Sequence, residues 1–403
     1  EYELIFQMND PVIGSFNVWD TVYGQKNKAV RFKTGLSIDA EHTLAVGESV
    51  DDADQTHTPQ VLLVMLDKRG RVAWEKTQAV AGLSAVKKVI AHPDGFLVMA
   101  DRAMPDIPGD IWLGFFDAQG TLTSEQIVDT PEGPVNAHDI VPGFNAGEYL
   151  VAASFRKGDG KIANSLLLSL DRGGNVLWRR AYMPGIDNKI FGLSLIAPGK
   201  LAATGYIQTT DGRRAGWLMV LTRNGSIDWQ LQYPRGRAAQ FYKVAPFKKS
   251  YLAASGTAYP SGGGPQSGWM MLVNIANGDI VWQRYYAGSR VLEAGELFVH
   301  DTGLFSLMMT GRNAKRTGDD QPPEAEIPSQ AGNPLLKRPP KAEAVDSDQK
   351  YERQDFVRLM TINARGVLMS SEQFFNGDGA IAYQLVPGAR GERLMIGETQ
   401  TSR

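Results

Sequence analysis

LLVMLDKRGRVAW at 62–74 and LLLSLDRGGNVLW at 166–178 are two copies of a phrase that recurs along the chain. Further copies read WLGFFDAQGTLTS at 112–124, WLMVLTRNGSIDW at 217–229, WMMLVNIANGDIVW at 269–282 and VRLMTINARGVLMS at 357–370. Successive turn glycines are 50, 54, 51, 53 and 88 residues apart, at Gly70, Gly120, Gly174, Gly225, Gly278 and Gly366. A repeat of this length that carries several short strands is typical of a β-propeller blade.

One repeat, residues 186–233, illustrates the predicted blade. Its strands read KIFGLSLI, LAATGYI, GWLMVLT and SIDWQLQY, separated by turns and loops that contain glycine. The third strand is a nearly continuous apolar run, as expected for a strand covered on both faces. The fourth alternates apolar and polar residues, which is typical of an outer strand with one solvated face.

The two ends of the chain supply the remaining strands. AIAYQLVPGARGERLMIGET near the C-terminus predicts two inner strands, and ELIFQMNDPVIGSFNVWDTVYG near the N-terminus predicts two more. Pairing them completes a last blade and removes an exposed sheet edge. The sequence therefore predicts an all-β fold, a seven-bladed β-propeller of four-stranded antiparallel blades closed by N- and C-terminal strands. Residues 1–403 are predicted to form this single domain.

The longest gap between repeats contains an insertion. Residues 312–354 within blade six are charged and rich in proline, a composition that joins no strand ladder and buries little apolar surface. Leu335 and Leu336 are its only adjacent apolar anchors. Two interpretations remain open: a mobile surface loop, or an arm that becomes ordered against a partner protein.

Three recurring residue types have structural explanations. We expect Asp67, Asp117 and Asp171 to cap the turns through backbone hydrogen bonds. Trp74, Trp178, Trp229 and Trp282 share one outer-strand position and are predicted to wedge between adjacent blades. Small residues near the ends of the second strands are attributed to the close approach of neighbouring sheets: Gly47, Ala100, Ser154, Gly205, Gly256, Gly311 and Gly397.

Composition excludes several functional classes. Lys and Arg total 42 against 44 Asp and Glu, so no overall charge indicates nucleic-acid binding. There is no cysteine, which excludes disulfides, thiolate metal sites and cysteine nucleophiles within this chain. No apolar run is long enough to predict a transmembrane segment. The chain begins EYELIFQMND, and with the lack of thiols this favours an extracytoplasmic protein, periplasmic or secreted, whose signal peptide has been removed.

The pattern L-x-x-L-D-x-x-G-x-x-x-W, clearest at 62–74 and 166–178, resembles the quinoprotein-like repeat family of bacterial propellers. That family includes pyrroloquinoline-quinone dehydrogenases and an outer-membrane assembly lipoprotein. The resemblance implies the scaffold and the binding of other proteins. It does not extend to the dehydrogenases, because this chain lacks their vicinal cysteines and a recognisable calcium site.

No motif predicts chemistry, so the sequence predicts no catalytic, cofactor-binding or metal-binding residue. The leading hypothesis is a non-catalytic scaffold of the bacterial envelope that docks a partner protein. Arginine and tyrosine, which are enriched at binding hot spots, recur on the face with the second-to-third-strand loops. The candidates are Arg102, Arg156, Arg213, Arg214, Arg235, Arg237, Tyr259, Arg290 and Arg312.

The alternative hypothesis is a carbohydrate- or peptide-binding module, or a hydrolase or lyase, that uses the axial pocket. Residues near the starts of the innermost strands are the candidates for lining it: Lys28, Asn136, His138, Asn188, Lys189, Gln240, Tyr242, Glu293 and Asp378. Perturbed carboxylates in that pocket would favour an enzyme. An arginine-rich rim with the arm packed along it would favour the scaffold.

Overall fold

The computed structural model describes residues 2–3, 7–9, 23–24, 28–51, 58–104, 107–128, 130–156, 162–197, 199–259, 266–286, 291–312, 355–374, 379–388 and 393–400. These residues form strands, turns and loops with no helix among them, so the predicted all-β class is confirmed. The predicted insertion at 312–354 lies outside the described residues, apart from the backbone of Arg312. Leu335, Leu336 and Arg290 also lie outside them.

The strands follow the predicted order. Two short ones, β1 (Tyr2–Glu3) and β2 (Gln7–Asn9), come first. A first unit contains β3 (Lys28–Ser37), β4 (His42–Asp51), β5 (Gln60–Asp67) and β6 (Val72–Gln78). A second contains β7 (Leu83–His92), β8 (Gly95–Met104), β9 (Ile107–Asp117) and β10 (Leu122–Val128). A third contains β11 (Val135–Pro142), β12 (Tyr149–Arg156), β13 (Ala163–Leu170) and β14 (Val176–Tyr182).

The later units repeat this order. The fourth contains β15 (Asp187–Ala197), β16 (Lys200–Gln208), β17 (Arg214–Thr222) and β18 (Ile227–Pro234). The fifth contains β19 (Ala238–Phe247), β20 (Tyr251–Tyr259), β21 (Ser267–Asn274) and β22 (Ile280–Tyr286). The sixth contains β23 (Val291–Val299), β24 (Phe305–Arg312), β25 (Asp355–Ile362) and β26 (Leu368–Phe374). The chain ends with β27 (Gly379–Pro387) and β28 (Arg393–Gln400).

Hydrogen bonding groups these strands into a β-propeller arrangement but not into seven separate sheets. The first three units are independent four-stranded sheets, whereas the later strands form two eight-stranded sheets. Single parallel bridges, Arg214 with Ala238 and Asp355 with Gly379, join neighbouring units in the larger sheets. The prediction of seven separate blades closed into one ring is therefore not met by the sheets. The terminal strands β1 and β2 do pair with β28.

The core lies between successive units. For example, Leu44 and Val61 of the first unit pack with Val98 and Trp112 of the second. The third strands are buried almost along their whole length, as β17 shows, while the fourth strands are largely exposed. This difference agrees with the continuous apolar runs and the alternating pattern of the sequence.

The predicted turn caps and tryptophan wedges are confirmed. The Asp67 carboxylate accepts hydrogen bonds from the backbone N–H groups of Arg69 and Arg71, at 2.8 and 3.0 Å. Trp229 lies against Gly278 of the next unit and donates its indole N–H to the Ile275 carbonyl at 2.9 Å. The outer tryptophans therefore lock each unit to the turn of the following one.

The explanation offered for the small residues is wrong for four glycines. A Cβ placed on Gly47, Gly205, Gly256 or Gly397 would lie 2.0, 1.8, 2.0 or 2.2 Å from a backbone carbonyl oxygen. Those carbonyls belong to the paired first strand of the same unit, at Arg31, Lys189, Gln240 and Ile381. The close approach is thus inside the blade, where an irregularity of the first strand presses its backbone against the second.

Candidate functional site

The irregularity is a β-bulge that recurs in the first strand of every unit. In each case one extra residue interrupts the pairing with the second strand, between Phe32 and Thr34 in β3 and between Val86 and Lys88 in β7. A bulge leaves its extra residue unpaired and redirects a side chain. The extra residues are Lys33, Lys87, His138, Phe191, Tyr242, Gly295 and Tyr383.

Contacts between units bring these bulge side chains together. The rings of His138 and Phe191 meet edge to face with centroids 5.3 Å apart, and Phe191 lies 5.5 Å from Tyr242. The Lys33 ammonium lies 3.9 Å from the centre of the Tyr383 ring. We name the six side chains of Lys33, Lys87, His138, Phe191, Tyr242 and Tyr383, together with Lys189, the bulge site.

Four of the residues that directly follow a bulge form a second, polar layer. Lys88 donates to the Asp139 carboxylate at 2.6 Å, and that carboxylate also accepts from the backbone N–H of Leu193 at 2.9 Å. Lys243 and Glu296 form an ion pair at 3.4 Å. We name Lys88, Asp139, Lys243 and Glu296 the axial cluster; it joins four of the first strands.

Charge compensation sets the ionisation of the axial cluster. Burial opposes ionisation of Asp139, but the ammonium groups of Lys88 and Lys243 outweigh it and hold its pKa below the usual value. Burial likewise opposes the charge of Lys243, yet Glu296 and Asp139 raise its pKa. For Glu296 burial prevails over the attraction of Lys243, and its pKa is raised. The cluster is a set of paired charges.

In the bulge site, by contrast, burial of the lysines is not outweighed by nearby carboxylates. Burial lowers the pKa of Lys33 and of Lys189, and the charge of Lys87 lowers both further. His138 bonds to the Ser154 hydroxyl at 2.8 Å, and burial, with Lys189 and Lys87, lowers its pKa to about 3. His138 is therefore neutral at pH 7. The lysine ammonium groups of the bulge site thus lie near one another and beside its aromatic rings.

Several predicted arginines make structural contacts instead of a common surface. Arg102 binds the Asp110 carboxylate through two hydrogen bonds at 2.9 and 3.1 Å and braces the β8–β9 hairpin. Arg213 binds Asp211 of its own loop at 2.6 Å. Arg235 donates to the Gln283 side chain at 2.9 Å.

Two other predicted arginines lie over tyrosine rings. Arg237 lies 5.1 Å from the centre of Tyr259, and Arg214 lies 4.4 Å from the centre of Tyr206. Tyr206 in turn lies 5.7 Å from Phe191, so Arg214 connects to the bulge site. Arg156 is exposed, and its charge lowers the pKa of Lys189. The side chain of Arg312 is outside the described residues. We name Arg156, Arg214, Arg237 and Tyr259 the rim.

Sequence reasoning identified His138, Tyr242 and Lys189 but missed Lys33, Lys87, Phe191 and Tyr383. A signal was present: in VKKV at 86–89 and AHDI at 137–140, two polar residues stand together between apolar ones. Such a pair breaks the strict alternation of a strand, which is what an inserted residue does.

The described residues contain no cluster of three or more His, Asp or Glu side chains arranged to hold a metal ion. Among those same residues, no helix that could cross a membrane is found.

Comparisons with known proteins identify no family. No protein-family model matches the chain, and no curated protein sequence is similar to it. Among solved structures, the β-propeller domain of the Trilobed protease from Pyrococcus furiosus is 10% identical with a TM-score of 0.48, covering 94% of this chain and 97% of that one. The Neurospora crassa Pan2 WD40 domain is 8% identical with a TM-score of 0.48, covering 93% and 91%. An acylaminoacyl peptidase of Pyrococcus horikoshii is 10% identical at a TM-score of 0.48, covering 93% of this chain and 50% of that one. This chain thus matches only half the length of that peptidase.

Proposed function

We propose that this protein is a non-catalytic β-propeller module that docks a partner protein on the rim. The observation that carries the proposal is the pairing of Arg237 with Tyr259 and of Arg214 with the Tyr206 ring. In each pair the tyrosine ring supplies an apolar aromatic surface and the guanidinium group supplies a positive charge. The contact between them holds both side chains in place before a partner binds. Arginine and tyrosine are also the residues that most often dominate binding energy at protein interfaces.

The buried carboxylates of the inner strands support a non-catalytic role, because each already has partners within the protein. Asp139 is held by Lys88 and by the Leu193 backbone, and Asp101 by Lys87 at 2.9 Å and the Ala137 N–H at 2.8 Å. Glu296 faces Lys243. A general acid or base needs a proton-transfer position open to substrate, whereas these groups serve as bridges between strands.

The alternative, a carbohydrate- or peptide-binding module or a hydrolase or lyase using the axial pocket, is favoured by two observations. Burial raises the pKa of Glu296 and of Asp101, as expected for carboxylates that could transfer protons. His138, Phe191, Tyr206 and Tyr242 form a continuous aromatic wall in the bulge site. Such a wall suits the apolar faces of sugars and the backbone of peptides.

We also infer that the chain forms seven blades in a closed ring, of which each eight-stranded sheet supplies two. Seven first-strand bulges at equivalent positions support this count. Closure is supported by the 2.9 Å hydrogen bond from Thr34 to Gln384 and by the packing of Phe32 with Ile396. The strands β1 and β2 would then complete the last blade on β28.

The proposal extends to location and to the insertion. We place the protein outside the bacterial cytoplasm, in an envelope assembly, on the grounds of its cysteine-free composition and its resemblance to quinoprotein-like repeats. Residues 312–354 link β24 to β25 in the sequence, and we propose that they serve as an arm for the partner.

The test is capture of the partner from the native envelope with purified protein, followed by binding measurements with that partner. We expect the double variant Arg237→Ala/Tyr259→Ala to weaken binding by about 100-fold, because hot-spot residues each contribute about 1–2 kcal/mol or more. Arg69→Ala, on an exposed turn between β5 and β6, is the matched control and should bind as the wild type. Equal binding by the rim variant and the wild type would overturn the proposal. A deletion of 312–354 tests the arm separately.

A further inference from the structure

Two half-buried lysines of the bulge site have no carboxylate partner. Within the described parts of the chain, neither Lys33 nor Lys189 forms a salt bridge, and Lys189 makes no hydrogen bond through its ammonium group. Half-buried ammonium groups are costly to leave unpaired, and natural proteins pair them or use them. By contrast, Lys87, Lys88 and Lys243 all have acidic partners at 2.6–3.4 Å.

The acidic groups nearest to these lysines are already engaged elsewhere. Glu398 accepts from the Tyr383 hydroxyl at 2.8 Å, and Glu48 accepts from the Val86 N–H at 2.7 Å. Asp187 accepts from the Ala163 N–H at 2.9 Å and from the Tyr206 hydroxyl at 2.8 Å. These carboxylates organise the strands, and the attraction they exert does not prevent the lowering of the pKa of Lys33 and Lys189.

Further basic groups connect the bulge site to the rim, where Arg214 lies 3.8 Å from the Asp187 carboxylate. Lys189 lies two residues before the bulge residue Phe191, and the charges of Arg156 and Arg214 also act on it. Arg214 covers the outer ring of the aromatic wall, Tyr206. The charges of Arg156, Arg214 and Lys87 thus all act on Lys189, and Lys87 also acts on Lys33.

We infer that the bulge site binds an acidic peptide segment of the docked partner, in which separate Asp or Glu side chains pair with Lys189 and with Lys33. This inference rests on the proposed docking function and names the chemistry of the docked segment. The aromatic rings of Phe191, Tyr242 and Tyr383 would flank the peptide backbone, and the Asp or Glu carboxylates would offset the repulsion among the lysines. Charge-assisted hydrogen bonds in a half-buried site are stronger than those on an open surface.

The experiment uses the full chain and a fluorescently labelled, end-capped hexaglutamate peptide, with hexaglutamine as the uncharged probe. We expect hexaglutamate to bind and hexaglutamine not to bind. Lys189→Met and Lys33→Met should each weaken binding about tenfold, the effect of losing one charge-assisted hydrogen bond. Lys249→Met is the control, since Lys249 is exposed in the β19–β20 turn, far along the strand from the bulge. Thermal melts verify that each variant is folded.

Three outcomes would overturn the inference. Equal weakening in Lys249→Met would indicate general electrostatic attraction and not this site. Binding of citrate at the bulge site without binding of hexaglutamate would indicate a small organic acid as the ligand. Absence of hexaglutamate binding, while Arg237→Ala/Tyr259→Ala still abolishes partner capture, would remove the inference and leave the proposed function standing.

Discussion

The axial cluster and the bulge site lie on neighbouring residues of the first strands, yet their lysines differ in ion pairing. Both lysines of the axial cluster are paired, whereas in the bulge site Lys87 is paired with Asp101 and the other two lysines have no ion pair among the described residues. Lys88 is paired with Asp139 at 2.6 Å, whereas Lys33 lies over a tyrosine ring and Lys189 has no ion-pair partner among the described residues. The extra residue of each bulge causes the difference, because it directs two consecutive side chains into different layers. Paired charges hold strands together, whereas half-buried charges without an ion pair indicate a binding site.

The largest effect is expected from removing the central acid of the axial cluster. Asp139→Asn should destabilise the fold by about 3–5 kcal/mol, because it leaves the buried Lys88 ammonium without its counter-charge. Urea denaturation measures this change. Asp94→Asn is the control, since Asp94 is exposed and its pair with Arg172 lies at the surface; it should leave the stability close to that of the wild type. Similar losses in both variants would contradict the distinction between structural and surface charges.

The bulges themselves can be tested by adding a methyl group. Gly205→Ala should destabilise by about 1–3 kcal/mol, because its Cβ would lie 1.8 Å from the Lys189 carbonyl oxygen and force the bulge to shift. Gly295→Ala is the matched control inside a bulge, where the nearest atom to a Cβ is the Met308 carbonyl oxygen at 4.0 Å. Denaturation midpoints that change equally would show that the bulge geometry is not tightly held.

A smaller effect of opposite sign is expected at the bulge site. Because the pKa of Lys189 is lowered in the folded state, the unfolded chain binds more protons, and wild-type stability rises with pH toward 10.5. At pH 7 the charged lysine therefore costs stability, and Lys189→Met should be more stable by a few tenths to about 1 kcal/mol. The advantage should shrink as the pH approaches 10.5. A variant less stable than the wild type at pH 7 would indicate that Lys189 has a structural partner.

The sequence predicts the repeats well because turns and caps are local. Gly225 and its equivalents have a positive φ, 76° at Gly225, and the Asp67 carboxylate caps its own turn, so both signals lie within a few residues. The number of sheets was less predictable, since a single bridge between Arg214 and Ala238 joins two units.

The candidate site was only partly predictable. Arg102 looked like a binding residue, but its partner Asp110 lies across the hairpin and the pair is structural. Lys33 and Tyr383 come together from opposite ends of the chain, and sequence alone does not show that contact. His138 was identified from its place at the start of an inner strand, while its neighbour Phe191 was not, because the bulge inverts the alternation that sequence reasoning relies on.

The most direct test of the account compares two lysines of the same chain. Nuclear magnetic resonance titration of lysine side chains, assigned with the Lys189→Met and Lys243→Arg variants, reports the pKa of each ammonium group. The account predicts that Lys189 titrates below the ordinary value of 10.5 and Lys243 above it. If Lys189 titrates at or above Lys243, the contrast between an open, uncompensated bulge site and a paired axial cluster is contradicted.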